Sequence, residues 1–232
     1  MASPVDSARA TSQTTTAGTA HTINVGSPVA GTLLIVLIRF GAAQGAITFT
    51  GYTSIANDAS DAGAGTTAIY YRWADGAEGV SDALSTGSSA KMAAICWEIT
   101  GAANPATQAP QVSTVATGTT TANTCNPSAV TPTGGSNDYL FLACGTQDGE
   151  VGAFTGAPTN YTNLQAANSS TGGLPATNVQ IGGASRQLTA ASDDPGAFTH
   201  AAAAAGWTAF TVAVHPPGPV VSTKAGFGKE SG

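Results

Sequence analysis

Charge is what this chain has least of. Of its 232 residues only 7 are Lys or Arg and 13 are Asp or Glu, a charged fraction of 9%, against roughly 25% in ordinary soluble domains. The basic residues Arg9, Arg39, Arg72, Lys91, Arg186, Lys224 and Lys229 are scattered and the net charge is −6. The clustered positive face that nucleic acid demands is therefore missing, and no nucleic-acid partner is expected. The apolar run Leu33–Ile38 is far shorter than the roughly 20 residues that cross a bilayer, so no membrane span is expected. Met1–Thr16 is a Ser/Thr/Ala stretch without an apolar core, and no secretory signal is expected either. Cysteine is scarce and odd in number: Cys96, Cys125 and Cys144 cannot all pair with one another. They read as small buried hydrophobes of a protein made in a reducing cytoplasm, the alternative being one disulfide and a free thiol. Helical periodicity is lacking as well.

What the chain has instead is small side chains, with 45 Ala, 34 Thr and 29 Gly. Setting Ala aside leaves about 52 larger apolar residues, enough for one sizeable core. Short runs rich in Val, Ile, Thr, Tyr and Phe alternate with Gly, Asn, Asp and Pro clusters, which is the signature of strands. The clearest are Thr32–Phe40, Ala46–Ile55, Thr66–Trp73, Met92–Thr100, Tyr139–Cys144, Asn178–Leu188 and Thr208–His215. In Met92–Thr100 the period of two puts Ile95, Trp97 and Ile99 on one face and Cys96 and Glu98 on the other.

The order of signals in the first half recurs in the second. Thr22-Ile23-Asn24 is matched by Thr124-Cys125-Asn126, and Gly31–Ile35 by Asn137–Phe141. Gly51-Tyr52-Thr53-Ser54-Ile55 answers to Asn160-Tyr161-Thr162-Asn163-Leu164, and Ala94–Thr100 to Thr208–Val214. The expected fold is an all-β, antiparallel β-sandwich of jelly-roll type built from two pseudo-repeated halves. Its expected parts are an N-terminal arm over residues 1–20 and a sandwich over 21–215. The halves cover about 21–101 and 112–215, with a crossover at 102–132. The Pro/Gly-rich segment 216–232 completes the chain as a C-terminal arm.

Motifs that carry chemistry fail on context. Gly63–Ala68 fits a dinucleotide fingerprint but follows a polar loop and opens a strand, where that site needs a strand before it and a helix after. Ser88-Ser89-Ala90-Lys91 fits S-x-x-K but runs into a strand, where residues three apart face opposite ways. Asp58–Gly63 has oxygen ligands yet Ile69 where an EF-hand loop needs Glu. Asp148-Gly149-Glu150 and Asp193–Gly196 are turn-forming acids before they are ligands. His21, His200 and His215 stand far apart without metal-ligand spacing. Glu98, the one acid inside an apolar strand, reads as an outward residue or a partner of Arg39 or Arg72. The sequons at Asn160 and Asn168 carry no weight without a secretory route. Trp73, Trp97 and Trp207 read as core, an exposed one being a candidate saccharide platform. No catalytic, cofactor-binding or metal-binding residue is assigned, and no enzyme is expected.

The run Gly31–Leu37, then Gly51-Tyr52-Thr53, then Ala68-Ile69-Tyr70-Tyr71-Arg72-Trp73-Ala74-Asp75-Gly76, then the strand ending in Ile99-Thr100-Gly101-Ala102 resembles a group of β-sandwich proteins carried by tailed bacteriophages. The resemblance implies a structural virion protein, a capsid decoration or cement subunit bound to the outer surface of a phage head. It implies the major capsid protein as partner, a homotrimer as the assembled form and manufacture in the host cytoplasm. A tail or fibre-head module that recognises a host glycan or protein through loops 57–65, 148–156 and 169–176 is the alternative. Low charge suits the first role, since lightly charged polar surface costs little to desolvate against neighbouring subunits.

Overall fold

Eight consecutive residues, Leu33–Phe40, are all buried. A strand whose two faces are both dry needs a layer on each side, and the architecture follows from that demand. The computed structural model describes residues 3–58, 65–118, 125–149, 153–169, 177–200 and 206–218. Its strands are β1 (Val5–Asn24), β2 (Leu33–Phe40), β3 (Ile47–Phe49), β4 (Thr53–Asp58), β5 (Thr66–Trp73), β6 (Ser81–Thr100) and β7 (Gln111–Val112). They continue with β8 (Ala116–Gly118), β9 (Asn137–Asp148), β10 (Phe154–Gly156), β11 (Thr162–Asn168), β12 (Val179–Ala190), β13 (Thr199–His200) and β14 (Trp207–Val214).

Two antiparallel six-stranded sheets form the sandwich. The first runs β1-β6-β2-β5-β4 with β3 on β6, and the second β11-β12-β9-β14-β7 with β8 on β14. The chain completes the first sheet before it starts the second, so the strands do not alternate between sheets as in a jelly roll. Each half instead repeats one path. If β7 and β8 stand for β1, and β13 and β14 for β6, both sheets read first, sixth, second, fifth, fourth.

Between the sheets, Leu33, Ile35, Leu37, Ile95, Trp97 and Ile99 meet Leu142, Cys144, Ile181, Phe210, Val212 and Val214. On the outer face of the first sheet a second cluster joins Leu34, Val36, Ile38 and Phe40 to Ile23, Phe49 and Leu84. These last three lie on the far part of β1, on β3 and on the first part of β6. Register shifts around Thr14, Gly18 and Ala20 let β1 double back, so that Asn24 donates its N–H to Ser12 Oγ at 2.7 Å. The bent part of the hairpin thereby covers its own sheet. In the second half β10 and β13, with a Cys125–Phe198 bridge, cover Tyr139, Phe141 and Ala143 in the same way.

Several expectations change. The N-terminal segment is an integral edge strand paired with β6 from Val5 to Asn24, because its Thr and Ser residues complete the ladder although few of them are buried. Ala46–Ile55 is two strands, split by a turn in which Gly51 has φ 81° and Tyr52 N–H bonds to Phe49 O at 3.1 Å. The halves match one residue away from the sequence alignment in two places. Leu33 corresponds to Leu140, since they pair with Ile99 and Val214, and Ile95 corresponds to Phe210, since they pair with Leu37 and Cys144. A slip of one residue exchanges the faces of a strand. The crossover holds β7 and β8, its residues 119–124 lie outside the described residues, and so does the C-terminal arm from 219 onward.

Where the sheets cross, Gly183 lies under Trp97, and a methyl carbon there would sit 2.3 Å from the indole ring. Gly183→Ala is expected to cost about 1–3 kcal/mol in urea unfolding. Combined with Trp97→Phe, which removes the ring atoms in the way, the loss is expected to be less than the sum of the two single changes. Full additivity would show that this contact does not set the sheet separation.

Candidate functional site

Three places combine polar chemistry with a defined geometry. The first is a clasp present once in each half. Tyr52 follows the left-handed Gly51 and donates its hydroxyl to Asp82 Oδ2 at 2.9 Å, while Arg72 lies 3.6 Å from the same carboxylate. Tyr161 follows Asn160, also left-handed at φ 67°, and donates to Asp193, which Arg186 Nη1 engages at 2.8 Å. Thr53 lies opposite Tyr71 as Thr162 lies opposite Ser185, and Leu34 pairs with Arg72 as Phe141 pairs with Arg186. The clasps are therefore equivalent. Burial and the adjacent carboxylate hold both phenols protonated, raising their pKa values well above the ordinary tyrosine range. They fasten the start of the fourth strand of each half to the rest of its sheet.

The second place is a buried ion pair across the sandwich. Arg39 on β2 donates through Nε to Asp148 Oδ1 on β9 at 3.1 Å and through Nη1 to Thr67 Oγ1 at 2.8 Å. Thr67 reaches Thr146 on the second sheet at 2.9 Å, and Gln180 donates to Gln147 at 2.9 Å. These groups form a polar layer at that end of the core, in which Gln147 Nε2 and Gln180 Oε1 lack a hydrogen-bond partner among the described residues. Pairings of Asp58 with Thr67, Asp148 with Val179 and Asn168 with Gln180 bring the flanks of loops 57–65, 148–156 and 169–176 to this same end. Residues 59–64, 150–152 and 170–176 of those loops lie outside the described residues. The Gly63–Ala68 and Asp58–Gly63 motifs fall partly there too.

The third place is an open groove of about 480 Å³ at the opposite end. Tyr71 and Trp73 of β5, Arg72, Asp75 and Asn104 line it. Trp73 and Tyr71 are half-buried and pack against the core between the sheets. Arg72 Nε pairs with Glu78 at 3.0 Å and Nη2 with the exposed Asp75 at 3.4 Å.

The remaining candidates have structural partners. Glu98 does not pair with Arg39 or Arg72. Its Oε1 accepts from Val29 N–H at 2.8 Å and Thr32 Oγ1 at 3.2 Å, which holds the turn before β2. His21 packs on Phe40 and His215 on Tyr139, while His200 lies beside Phe154. Among the described residues no three of His, Cys, Asp and Glu converge as metal ligands. All three cysteines are free and buried, and burial pushes the Cys125 thiol up to about 12. The groove and the clasps had escaped sequence reading. The repeated tyrosine before each fourth strand was the visible signal for the clasps, while nothing local connects Trp73 with Asn104.

Two outcomes follow. Asp193 is buried whereas Asp82 is partly open to water, so Tyr161→Phe is expected to cost about 1.5–3 kcal/mol, more than Tyr52→Phe, in parallel chemical unfolding. Burial lowers the pKa of His21 and of His215 below the ordinary value of 6.5. Protonation then favours the unfolded chain, so stability is full above that pH and falls as the pH drops through it toward the folded-state values. Melting followed from about pH 7 to about pH 5 should show this decline, and His21→Asn should flatten it.

Compared with protein-family models, with curated proteins and with solved structures, the chain matches none of them.

Proposed function

We propose that the chain is a structural subunit of a tailed-bacteriophage particle, a decoration or cement protein on the outside of the head. Its partner in this reading is the major capsid protein and its own assembly a homotrimer. The observation that carries the reading is the edge strand β1. Among the described residues it terminates its sheet, and from Ala10 to Asn24 it contains no Lys, Arg, Asp, Glu or Pro. Soluble proteins normally guard such edges with charge or proline, because unpaired N–H and C=O groups recruit other strands. Before the register shifts that turn the strand back on itself, the stretch Ala10–Thr14 is an edge without charge or proline and suits strand addition to a neighbouring subunit, where backbone hydrogen bonds supply affinity without a pocket. The scarcity of surface charge keeps desolvation of such a contact inexpensive.

A second reading, a tail or fibre-head binding module, is favoured by the groove at Tyr71 and Trp73. Copy number separates the two: hundreds per particle for a head subunit, a few to a few tens for a tail module.

Quantitative mass spectrometry and cryo-electron microscopy of purified particles test the proposal, and absence of the chain from mature particles sinks it. Size-exclusion chromatography with light scattering is expected to give a trimer. Gln13→Lys with Thr15→Lys, at exposed positions of β1, should leave melting unchanged and lower occupancy on the particle. Unchanged occupancy would move the contact away from this edge.

A further inference from the structure

We propose that the groove beside Trp73 is a saccharide subsite that takes an uncharged pyranose. The inference names the ligand class of the binding-module reading and rests on it.

Internal duplication supplies the main argument. The equivalent groove of the second half is formed by Thr162, Ser185 and Gln187 together with Leu140, which correspond to Thr53, Tyr71, Trp73 and Leu33 through the same pairings. There the volume is only about 180 Å³, and Val5 and Asp6 from the start of β1 take up part of the space. Asp6 accepts from Ser185 Oγ at 2.8 Å and from Arg9 Nε at 2.6 Å. One fold thus exists in two copies, and one copy is content with serine and glutamine where the other has tyrosine and tryptophan. In the second half the start of β1 covers this margin, whereas in the first half Tyr71 and Trp73 themselves pack against the core between the sheets and leave half-exposed aromatic surface facing the groove.

The chemistry of the wall narrows the ligand. Half-buried aromatic side chains anchored on the core offer rigid apolar area to the C–H face of a sugar ring. Around them stand the exposed Asp75 and Asn104; Asp75 Oδ1 accepts from Ala77 N–H at 2.8 Å and Asn104 Oδ1 from Ala106 N–H at 2.9 Å, which fixes both groups and leaves the second carboxylate oxygen and the amide NH₂ toward ring hydroxyls. The volume falls within the range of small-molecule sites. Charge excludes the acidic sugars: the single guanidinium of Arg72 faces Asp75, Glu78 and Asp82 at 3.4, 3.0 and 3.6 Å. One cation among three carboxylates leaves no positive charge for an anionic ligand. Glu78 also accepts the N–H groups of Asp75 and Gly76 at 2.8 and 2.9 Å, so the hairpin that carries Asp75 is preset before any ligand arrives.

The test uses the whole chain. Trp97 is fully buried and Trp207 nearly so, which leaves Trp73 as the fluorescence reporter. Titrations with glucose, galactose, N-acetylglucosamine and their tetrasaccharides are followed by tryptophan emission and by amide chemical shifts, beside N-acetylneuraminic acid and a polyproline peptide. A saturable response to a neutral sugar is expected with Kd on the order of 1 mM, with shifts centred on β5 and residues 104–106. Tyr71→Ser with Trp73→Gln installs the pair the other half already tolerates; it should keep the fold and weaken binding at least about tenfold. Asp75→Ala, which gives up only exposed contacts with Arg72 and Ala77 N–H, should weaken it about threefold to tenfold with at most a small drop in melting temperature, so a destabilised double variant does not remove the test. Preference for the acidic sugar or the peptide, or binding unchanged in both variants, overturns the proposal. A saturable response mapping elsewhere and insensitive to the variants overturns this site while leaving the binding-module reading standing. No response to any probe overturns the saccharide subsite, while the binding-module reading, which also admits a protein ligand, is decided by copy number.

Discussion

The central strands of both sheets are dry on both faces, and nearly every other feature answers to that constraint. β2 is buried along its whole length, and so is β14. One face of each sheet is covered by the opposite sheet, but the other needs a lid, and the protein makes the lid from the same hairpin that builds the sheet. Bending β1 and β6 back over Leu34, Val36, Ile38 and Phe40 requires the register shifts near Gly18. Close approach of the layers requires glycine at contact points, as with Gly183 under Trp97 and Gly182 beneath Phe154. The abundance of small residues follows from layers packed this tightly.

Duplication separates what the fold needs from what it merely permits. Strand order and the Tyr–Arg–Asp clasps recur in both halves, because each half must pin its fourth strand at the sheet margin. The margin beside that strand differs: in one half Ser185 is buried against Asp6 and Gln187 is exposed, while Tyr71 and Trp73 face an open groove in the other. In the first half Tyr71 and Trp73 cover the core margin that the start of β1 covers in the second, and they leave aromatic surface facing an open groove.

Reading the halves against each other succeeded at Tyr52 and Tyr161 and slipped by one residue elsewhere, for a physical reason. A left-handed turn and a single aromatic mark those tyrosines unambiguously. Leu33–Phe40 and Tyr139–Cys144 are apolar at nearly every position, and a strand buried on both faces has no alternation to set its phase. β1 was hard to read for the opposite cause: an edge strand of Thr, Ser and Ala buries few side chains, so hydrophobicity does not announce it. Tyr71 and Trp73 read as ordinary strand residues until Asp75 and Asn104 were seen beside them.

Strand content, the repeated halves, the location of the cysteines in apolar runs and the poverty of charge were determined by the sequence alone, because each is a local or compositional property. Only tertiary structure decided that each half closes its own sheet, that Arg39 meets Asp148 across 109 positions of chain, and which margin remains open. These outcomes depend on layers settling against one another, and no stretch of chain contains that information by itself. The lack of charge first noted in the composition corresponds to a molecule whose sheets are covered twice over and whose longest edge strand carries no charged guard after Arg9.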